Sequence, residues 1–446
     1  MIIGRSRIRA FFILTLRALR PLRPLRETPL PHTESDAVPT RRVGWGFIGL
    51  YALAYAGTWL ALLTPIVVTL ALRVQQLTPD RAAQNLSIVL AIGATCALLA
   101  GPVFGRLSDR TTSGFGMRRP WMAGGIVCGF IALAMVATAT SIAAILVGWC
   151  LAQLAFNAVL ASIVALLPDQ VPPAQRGTVS GVLGMCMPVG QLAGTSLVHA
   201  TSHSLLLSFM LPASIGLATV MLLVVSLADR RLPRGTIVAQ PPLRQLLASF
   251  RVNPLEHADF SWAWLSRFLF GVGSAFVNTY QPFYLIDKLG RTPAEVPLLI
   301  FQSTLVQASL IVVCSALSGK LSDLLGRRKV FVLLGALIYM VGLWTIAAAA
   351  SYAMFLAGMV VIGIGYGAYF AVDLALVSEV LPDQQRDAAK DLGILNIANA
   401  LPQVLAPCMG TAILFLADGS YTWLYFAAST VALASACTIL PVKSVR

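Results

Sequence analysis

The sequence predicts an all-α membrane protein with twelve transmembrane helices, arranged as two six-helix pseudo-repeats. Three observations predict this fold: a very apolar composition, twelve apolar runs of membrane-spanning length, and an internal repeat. Of the 446 residues, 57% are hydrophobic and only 11% are charged, and the mean hydropathy is +0.80. Because a soluble protein carries about 25% charged residues, this composition excludes a soluble enzyme.

Apolar runs follow one another along the chain, each close to the roughly 20 helical residues that cross a bilayer. Numbered as spans 1 to 12, they cover residues 45–72, 83–105, 120–139, 142–167, 177–198, 205–228, 260–286, 297–318, 330–350, 353–380, 391–416 and 421–441. The predicted organisation is an Arg-rich cytoplasmic tail (1–43), an N-terminal half (44–228), a central cytoplasmic loop (229–258), a C-terminal half (259–441) and a cytoplasmic C-terminus (442–446).

Basic residues concentrate in alternate connections between the spans. With a cytoplasmic N-terminus, the inside segments hold 27 of the 32 Lys and Arg residues, whereas the outside connections hold four. Connections rich in Lys and Arg stay on the cytoplasmic side. We therefore expect a multi-pass protein of the cell membrane with both termini in the cytoplasm. The tail is either a flexible extension or an arm lying on anionic lipid headgroups.

The two halves repeat one another with a constant displacement of 214 residues. Three matches share this displacement: residues 105–109 with 319–323, residues 167–169 with 381–383, and Pro188 with Pro402. A constant displacement that holds from residue 105 to residue 188 is typical of secondary transporters built from internal repeats.

From Trp45 onward the chain resembles the major facilitator superfamily, and its loop motifs carry the resemblance. The family motif Gly-x-Leu-Ser/Ala-Asp-Arg, followed by Gly-Arg-Arg/Lys, occurs after span 2 within residues 105–119 and after span 8 within residues 319–329. The sugar-porter motif of Glu and Arg seven positions apart fits Glu379 to Arg386, and Asp169 to Arg176 keeps the spacing. The resemblance implies a transporter that works by alternating access.

Within the superfamily, the long loop after span 2 is similar to that of the glycoside and sucrose cation symporters. Residues 108–120 and 59–65 carry this likeness. Met117 departs from it, because the group usually has Arg there. Gln153 stands where sucrose symporters have an essential Asp, so proton coupling through residue 153 is excluded.

Charged residues in the cytoplasmic loops are predicted to form a cytoplasmic gate that closes with the transport cycle. An acid at a helix end can accept hydrogen bonds from a neighbouring helix N-terminus, and loop cations can pair with facing acids. The orientation of the protein in the membrane does not explain the presence of Asp109 and Asp323 in these loops, since acidic residues contribute little to that orientation. The predicted gate residues are Asp109, Arg110, Arg118, Arg119, Asp169, Arg176, Asp323, Arg327, Arg328, Glu379 and Arg386.

Two ionisable residues lie inside predicted spans, Arg267 in span 7 and Asp373 in span 10, each about two turns from the cytoplasmic end. Such a group costs ~3 kcal/mol on insertion scales and marks a functional site by default. Since spans 7 and 10 line the central cavity in the resembled fold, we expect an intramembrane salt bridge that serves ion coupling. The alternatives are a static bridge and an Arg267 that snorkels to the headgroups.

Polar and aromatic residues form stripes on spans 1, 4, 7 and 10, the spans that line the cavity in the resembled fold. The predicted substrate-binding residues are Tyr55, Trp59, Gln153, Asn157, Ser274, Asn278, Gln281, Tyr366 and Tyr369. Amides beside aromatic rings suit a neutral hydroxylated ligand. Hydrogen bonding between helices is the alternative use of the same stripes.

These observations predict a secondary active transporter, a proton- or cation-coupled symporter of a neutral sugar-like or glycoside-like solute. The alternative is a proton-coupled exporter of drugs or natural products, whose Gly-Pro-x-x-Gly-Gly signature residues 184–191 match only in part. The sequence has no ATP-binding GxxxxGK[ST] loop and no nucleophile-and-base or metal constellation. We therefore expect no enzyme activity, cofactor, metal or nucleic-acid partner, and we expect a monomer.

Overall fold

The computed structural model describes residues 42–229, 231, 258–379 and 388–442. Within these residues the chain forms twelve helical spans, and the all-α architecture is confirmed. The predicted tail (1–43) and central loop (229–258) lie almost entirely outside the described residues, as does Arg386.

The N-terminal half contains spans 1 to 6. Span 1 consists of the helices Trp45–Thr64 and Leu70–Leu77, joined by a π-helical turn at Pro65–Thr69. Spans 2, 3 and 4 are the helices Ala82–Asp109, Arg119–Thr138 and Ile142–Gln170. Span 5 consists of Pro173–Gly184 and Cys186–Ala200, and span 6 is Leu205–Ser226.

The C-terminal half contains spans 7 to 12. Span 7 is the helix Ala258–Phe283, continued by a π-helical turn at Tyr284–Lys288. Spans 8, 9 and 10 are Val296–Leu325, Arg328–Ala348 and Tyr352–Glu379. Spans 11 and 12 are Ala388–Leu416 and Tyr421–Thr438.

Nine spans in the described part of the chain are long and apolar enough to cross a membrane by their own composition. Spans 7 and 12 are helical but carry more polar residues, and the assessed stretch of span 11, Leu401–Leu416, is a shorter apolar helix. Spans 2 and 8 run past their predicted ends at 105 and 318, so that both copies of the Gly-x-Leu-Ser-Asp motif are helical. Span 8 stops only at Gly326, whose φ of 60° is the left-handed conformation that favours glycine at a helix C-terminus.

Glycines hold span 10 against two neighbouring helices. Gly358 and Gly365 face span 9, and a Cβ atom at Gly365 would lie 2.4 Å from the backbone nitrogen of Tyr339. Gly363 and Gly367 face span 8, close to its backbone carbonyls. Small residues allow helix backbones to approach closely inside a membrane. Two flanks of span 10 are therefore fixed by backbone contacts.

The bundle has two ends, which we call the basic end and the opposite end. The basic end carries the connections between spans 2 and 3, 4 and 5, and 8 and 9. At the opposite end the two halves touch: the hydroxyls of Ser87 and Tyr280 are hydrogen-bonded at 2.7 Å. His199 stacks on Phe301 across the halves with ring centroids 5.9 Å apart. These contacts join spans 2 and 5 of one half to spans 7 and 8 of the other.

Candidate functional site

A buried ion pair links spans 7 and 10 inside the C-terminal half. Nη1 of Arg267 contacts Oδ2 of Asp373, and the two residues are only 8% and 1% exposed. The structure thus joins the two ionisable residues that the sequence placed at similar depths, and Arg267 does not snorkel outward. The other carboxylate oxygen, Asp373 Oδ1, is buried without a hydrogen-bond partner in the described part of the chain.

Aromatic rings surround this ion pair. The ring of Phe270 stacks on Tyr369 with centroids 3.8 Å apart and tilts against Tyr366 at 5.5 Å. The guanidinium carbon of Arg267 lies 5.8 Å from the centroid of the Phe370 ring. A cation within about 6 Å of a ring face is attracted by the ring quadrupole. The partners of the guanidinium thus include the carboxylate and an aromatic ring.

Hydroxyl groups beside the pair tie three spans together. The Ser266 hydroxyl donates to the backbone carbonyl of Ser435 at 3.0 Å, and the Ser435 hydroxyl donates to the carbonyl of Ser266 at 2.8 Å. The hydroxyl oxygen of Tyr369 lies 3.2 Å from that of Ser266. Ser266 and Ser435 were not among the predicted site residues. Only the position of Ser266 next to a charged residue in an apolar span could have indicated it.

The predicted substrate residues of the N-terminal half form two local groups. In span 4, the Asn157 amide donates to the backbone carbonyl of Gln153 at 2.8 Å and approaches its side-chain oxygen at 3.4 Å. In span 1, Tyr55 and Trp59 form an edge-to-face pair with centroids 6.0 Å apart. Both groups therefore lie on helices that the sequence predicted to line the centre.

The predicted polar stripe of span 7 divides into two environments. The Gln281 amide is buried and donates to the Ser303 hydroxyl of span 8 at 2.6 Å, so it links two helices. Ser274 and Asn278 are half-buried, as is Tyr366 on span 10. Asn278 makes no hydrogen bond within the described ranges and is the more available amide.

A second ionic cluster lies at the basic end of the N-terminal half, and we call it the Arg118 network. Nη1 of Arg118 lies 2.6 Å from an Asp109 oxygen, and Nε donates to Asp169 at 2.9 Å. Nη1 also contacts the Ser108 hydroxyl. Arg118 is 5% exposed. Because all these partners belong to one half, the network ties spans 2, 3 and 4 to each other.

Asp229, immediately after span 6, caps span 3. One of its oxygens accepts the backbone N–H groups of Arg118 at 2.7 Å and Arg119 at 2.9 Å. A carboxylate is favourable at the positive end of the helix dipole. Gly116 has a φ of 119°, and a Cβ atom there would lie 2.2 Å from the Asp229 carboxylate. Asp229 was not among the predicted site residues, and only its place as the first acid after span 6 could have indicated it.

The remaining predicted gate residues lie in several environments. Arg176 donates to the backbone carbonyls of Val171 and Pro168, both at 3.1 Å. The guanidinium of Arg119 lies 4.2 Å from the centroid of the Phe115 ring. Arg110 and Arg327 are exposed, and Arg328 is half-buried. The side chains of Asp323 and Glu379 lie outside the described part of the structure.

Comparison with solved structures supports the fold. A crystal structure of a variant of the nucleoside transporter NupG matches with a TM-score of 0.70 at 12% identity, covering 89% of this chain and 99% of that one. A bacterial homologue of the human lysosomal transporter Spinster, in an inward-facing and unoccupied conformation, matches with a TM-score of 0.65 at 14% identity. It covers 89% of this chain and 95% of that one.

Two curated relatives match over shorter segments. The MFS-type transporter YfiU of Bacillus subtilis (strain 168) is 33% identical over 109 residues, which are 24% of this chain and 20% of YfiU. The multidrug resistance protein MdtL of Salmonella schwarzengrund (strain CVM19633) is 34% identical over 97 residues, 22% of this chain and 24% of MdtL. The matched segment thus spans a quarter or less of these relatives.

The family model of the Major Facilitator Superfamily matches residues 45–313 and 263–445. The two matches together cover every helical span of the structure. The chain therefore belongs to the Major Facilitator Superfamily and is a multi-pass membrane transporter, not an enzyme.

Proposed function

We propose that the protein is a proton-coupled symporter of a neutral, hydroxylated small solute, of the sugar or glycoside class. The observation that carries this proposal is the buried pair of Arg267 and Asp373. Its charges cancel, so the surrounding site is neutral overall. An organic cation or anion would leave one charge unpaired in a medium of low dielectric constant, which is costly. A neutral solute avoids that cost.

Asp373 is the proposed coupling residue, with Arg267 as its partner. A proton bound to the carboxylate removes its charge and weakens its hold on the guanidinium. Loss of the proton restores the pair. Oδ1 of Asp373, which has no hydrogen-bond partner among the described residues, gives the proton an acceptor that Arg267 does not occupy. The half-buried Asn278 and the Gln153 and Asn157 amides supply hydrogen bonds for solute hydroxyls.

The basic end is the cytoplasmic end in this proposal, because inside segments then hold 27 of the 32 Lys and Arg residues. With that orientation, the contacts of Ser87 with Tyr280 and of His199 with Phe301 close the extracellular side. The Arg118 network then supports the cytoplasmic gate. In alternating access, contacts at one end form while those at the other end break.

A second candidate function is proton-coupled export of drugs or natural products. The multidrug resistance protein MdtL favours it, through the 97 matched residues. The aromatic rings of Phe270, Tyr366 and Phe370 around Arg267 also suit a flat lipophilic ligand. An exporter of cations would need the Asp373 carboxylate to leave Arg267 and pair with its ligand.

Thermal-shift measurements on the purified full chain separate the two functions. A ligand that binds the folded state raises its stability by mass action. We expect neutral glycosides to raise the melting temperature and tetraphenylphosphonium to leave it unchanged. In uptake assays, Asn278→Ala should raise the apparent KM about fivefold, the equivalent of one lost hydrogen bond. Stabilisation by the lipophilic cation without any by glycosides would favour the exporter.

A further inference from the structure

Phe370 is an exposed aromatic residue on an inward-facing side of span 10. It is 46% exposed, although it is only four residues from Tyr366 and three from Asp373. An α-helix turns about 100° per residue, which places Phe370 roughly 40° from Tyr366 around the helix axis. Tyr366 contacts Phe270 and Asp373 contacts Arg267, and both partners belong to span 7. Phe370 therefore shares the face that span 10 turns toward span 7.

The lipid face of span 10 lies elsewhere. Gly358 and Gly365 pack against span 9, whereas Gly363 and Gly367 pack against span 8. With these two flanks covered, the remaining faces are the one toward span 7 and the one directly behind it. The ring of Phe370 stacks on Tyr366 with centroids 5.7 Å apart, on the span 7 side. Its exposed area thus borders the interior beside the ion pair.

We propose that Phe370 contacts the substrate and stacks on a planar ring of the solute. Tyr366 and the guanidinium of Arg267 contact the ring and restrict its movement, so little side-chain freedom is lost on binding. The 46% of Phe370 that stays exposed is the surface left for the solute. This inference rests on the proposed function and narrows its substrate class to hydroxylated solutes that carry a flat ring, such as aryl glycosides and nucleosides.

Two matched pairs of ligands test this specificity on the purified full chain. In each pair only one member has an aromatic ring: p-nitrophenyl β-glucoside with methyl β-glucoside, and adenosine with ribose. Calorimetric titration of the wild-type protein should show the aromatic member of a pair binding about fivefold tighter, as expected for an added aromatic stack.

Variants of Phe370 assign the preference to this ring. Phe370→Leu should abolish the preference for the aromatic member of each pair, whereas Phe370→Tyr should keep it. Phe426→Leu is the matched control, since Phe426 is 43% exposed on span 12 and stacks on Trp344, away from the ion pair. The wild-type comparison remains decisive even if a Phe370 variant does not fold.

The outcomes separate this inference from the proposed function. Equal binding of both members of each pair, or a preference that Phe370→Leu leaves unchanged, would overturn the role of Phe370 and leave neutral-solute transport standing. Binding of none of the four ligands would overturn both proposals together.

Discussion

The two halves of the molecule place their buried charges at different depths. The N-terminal half holds Arg118 at the basic end with Asp109 and Asp169, and the Asp109 side chain is 37% exposed. The C-terminal half holds Arg267 with Asp373 inside spans 7 and 10, where the carboxylate side chain is 1% exposed. A charge that reaches water at a helix end has a small free-energy cost, whereas a charge inside a span has a large one.

The internal repeat shows that the fold does not need the deep pair. A displacement of 214 residues places Leu53 and Val159 of the N-terminal half at the positions of Arg267 and Asp373. Spans 1 and 4 form the same helices without those charges. The deep pair is therefore the better candidate for function, and the Arg118 network is the better candidate for positioning helices.

The largest expected effect comes from giving the C-terminal half the residues of the N-terminal half. Asp373→Val removes the carboxylate that pairs with the buried Arg267, which should cost about 3–5 kcal/mol of stability. The double variant Arg267→Leu with Asp373→Val removes both charges, so most of the stability should return. Neither variant should accumulate solute. Thermal unfolding in detergent and uptake by proteoliposomes measure the two effects.

The double variant decides the interpretation of the pair. If it unfolds as easily as Asp373→Val, the pair is a structural requirement of the C-terminal half. Uphill transport by the double variant would remove the functional role of both residues.

A smaller effect is expected from the Arg118 network. Arg118→Met removes charge-assisted hydrogen bonds to Asp109 and Asp169, worth about 2 kcal/mol, and the acids left behind reach water. Thermal unfolding should report this loss. Arg110→Met is the matched control, because Arg110 directly follows Asp109 in the sequence and is exposed. Equal melting temperatures of the two variants would show that the network does not stabilise the N-terminal half.

Contacts between the two halves are expected to affect the conformational equilibrium and not the stability of the fold. Ser87→Ala removes the hydroxyl bonded to Tyr280, and one lost hydrogen bond of ~1 kcal/mol shifts the conformational equilibrium about fivefold. The shift should favour the conformation open at the opposite end. Labelling of Asn278→Cys by an impermeant thiol reagent, with the native cysteines replaced, should then be faster.

The control for this prediction is Ser196→Ala in span 5. The Ser196 hydroxyl donates to Ala193 of its own helix at 2.7 Å, so its loss should not move the halves. Labelling that is equally fast in Ser87→Ala and in Ser196→Ala would show that the contact does not hold the opposite end closed.

The smallest expected effect concerns an exposed acid of the C-terminal half. The backbone N–H and the hydroxyl of Thr292 donate to Glu295, and these bonds hold the pKa of Glu295 below its usual value. A lowered folded-state pKa stabilises the fold above the unfolded-state pKa, and that stability is lost as the pH falls through the folded-state pKa.

Thr292→Val removes the hydroxyl bond, so its small deficit in melting temperature at pH 7 should shrink as the pH falls through the pKa of Glu295. Melting curves between pH 3 and pH 7, with wild type in parallel, measure this. A deficit that stays constant with pH would assign it to Thr292 and not to the acid.

Sequence patterns predict the spans well because apolar length is a local property. The predicted ends of spans 2 and 8 were too early, since Gly105 and Gly319 continue the helix and only Gly326 adopts a left-handed conformation. The ion pair was also predictable, because a charged residue inside an apolar run is conspicuous in any sequence.

Contacts between distant segments were not predictable from the sequence. The cap that Asp229 forms on span 3 joins residues about 110 positions apart, and no local pattern records such a distance. Phe370 is an apolar residue in an apolar helix, so only packing reveals its exposure. The stripe containing Gln281 indicated an inward amide but could not show that Ser303 takes its hydrogen bond.

Transport by Asp373→Asn in proteoliposomes tests proton coupling at Asp373 most directly. The amide keeps the size of the side chain but cannot exchange a proton at neutral pH. With an imposed proton gradient and a labelled glycoside, we expect the variant to lose uphill accumulation and to retain counterflow exchange, which needs no coupling ion. Accumulation at the wild-type level by Asp373→Asn would contradict proton coupling at this residue.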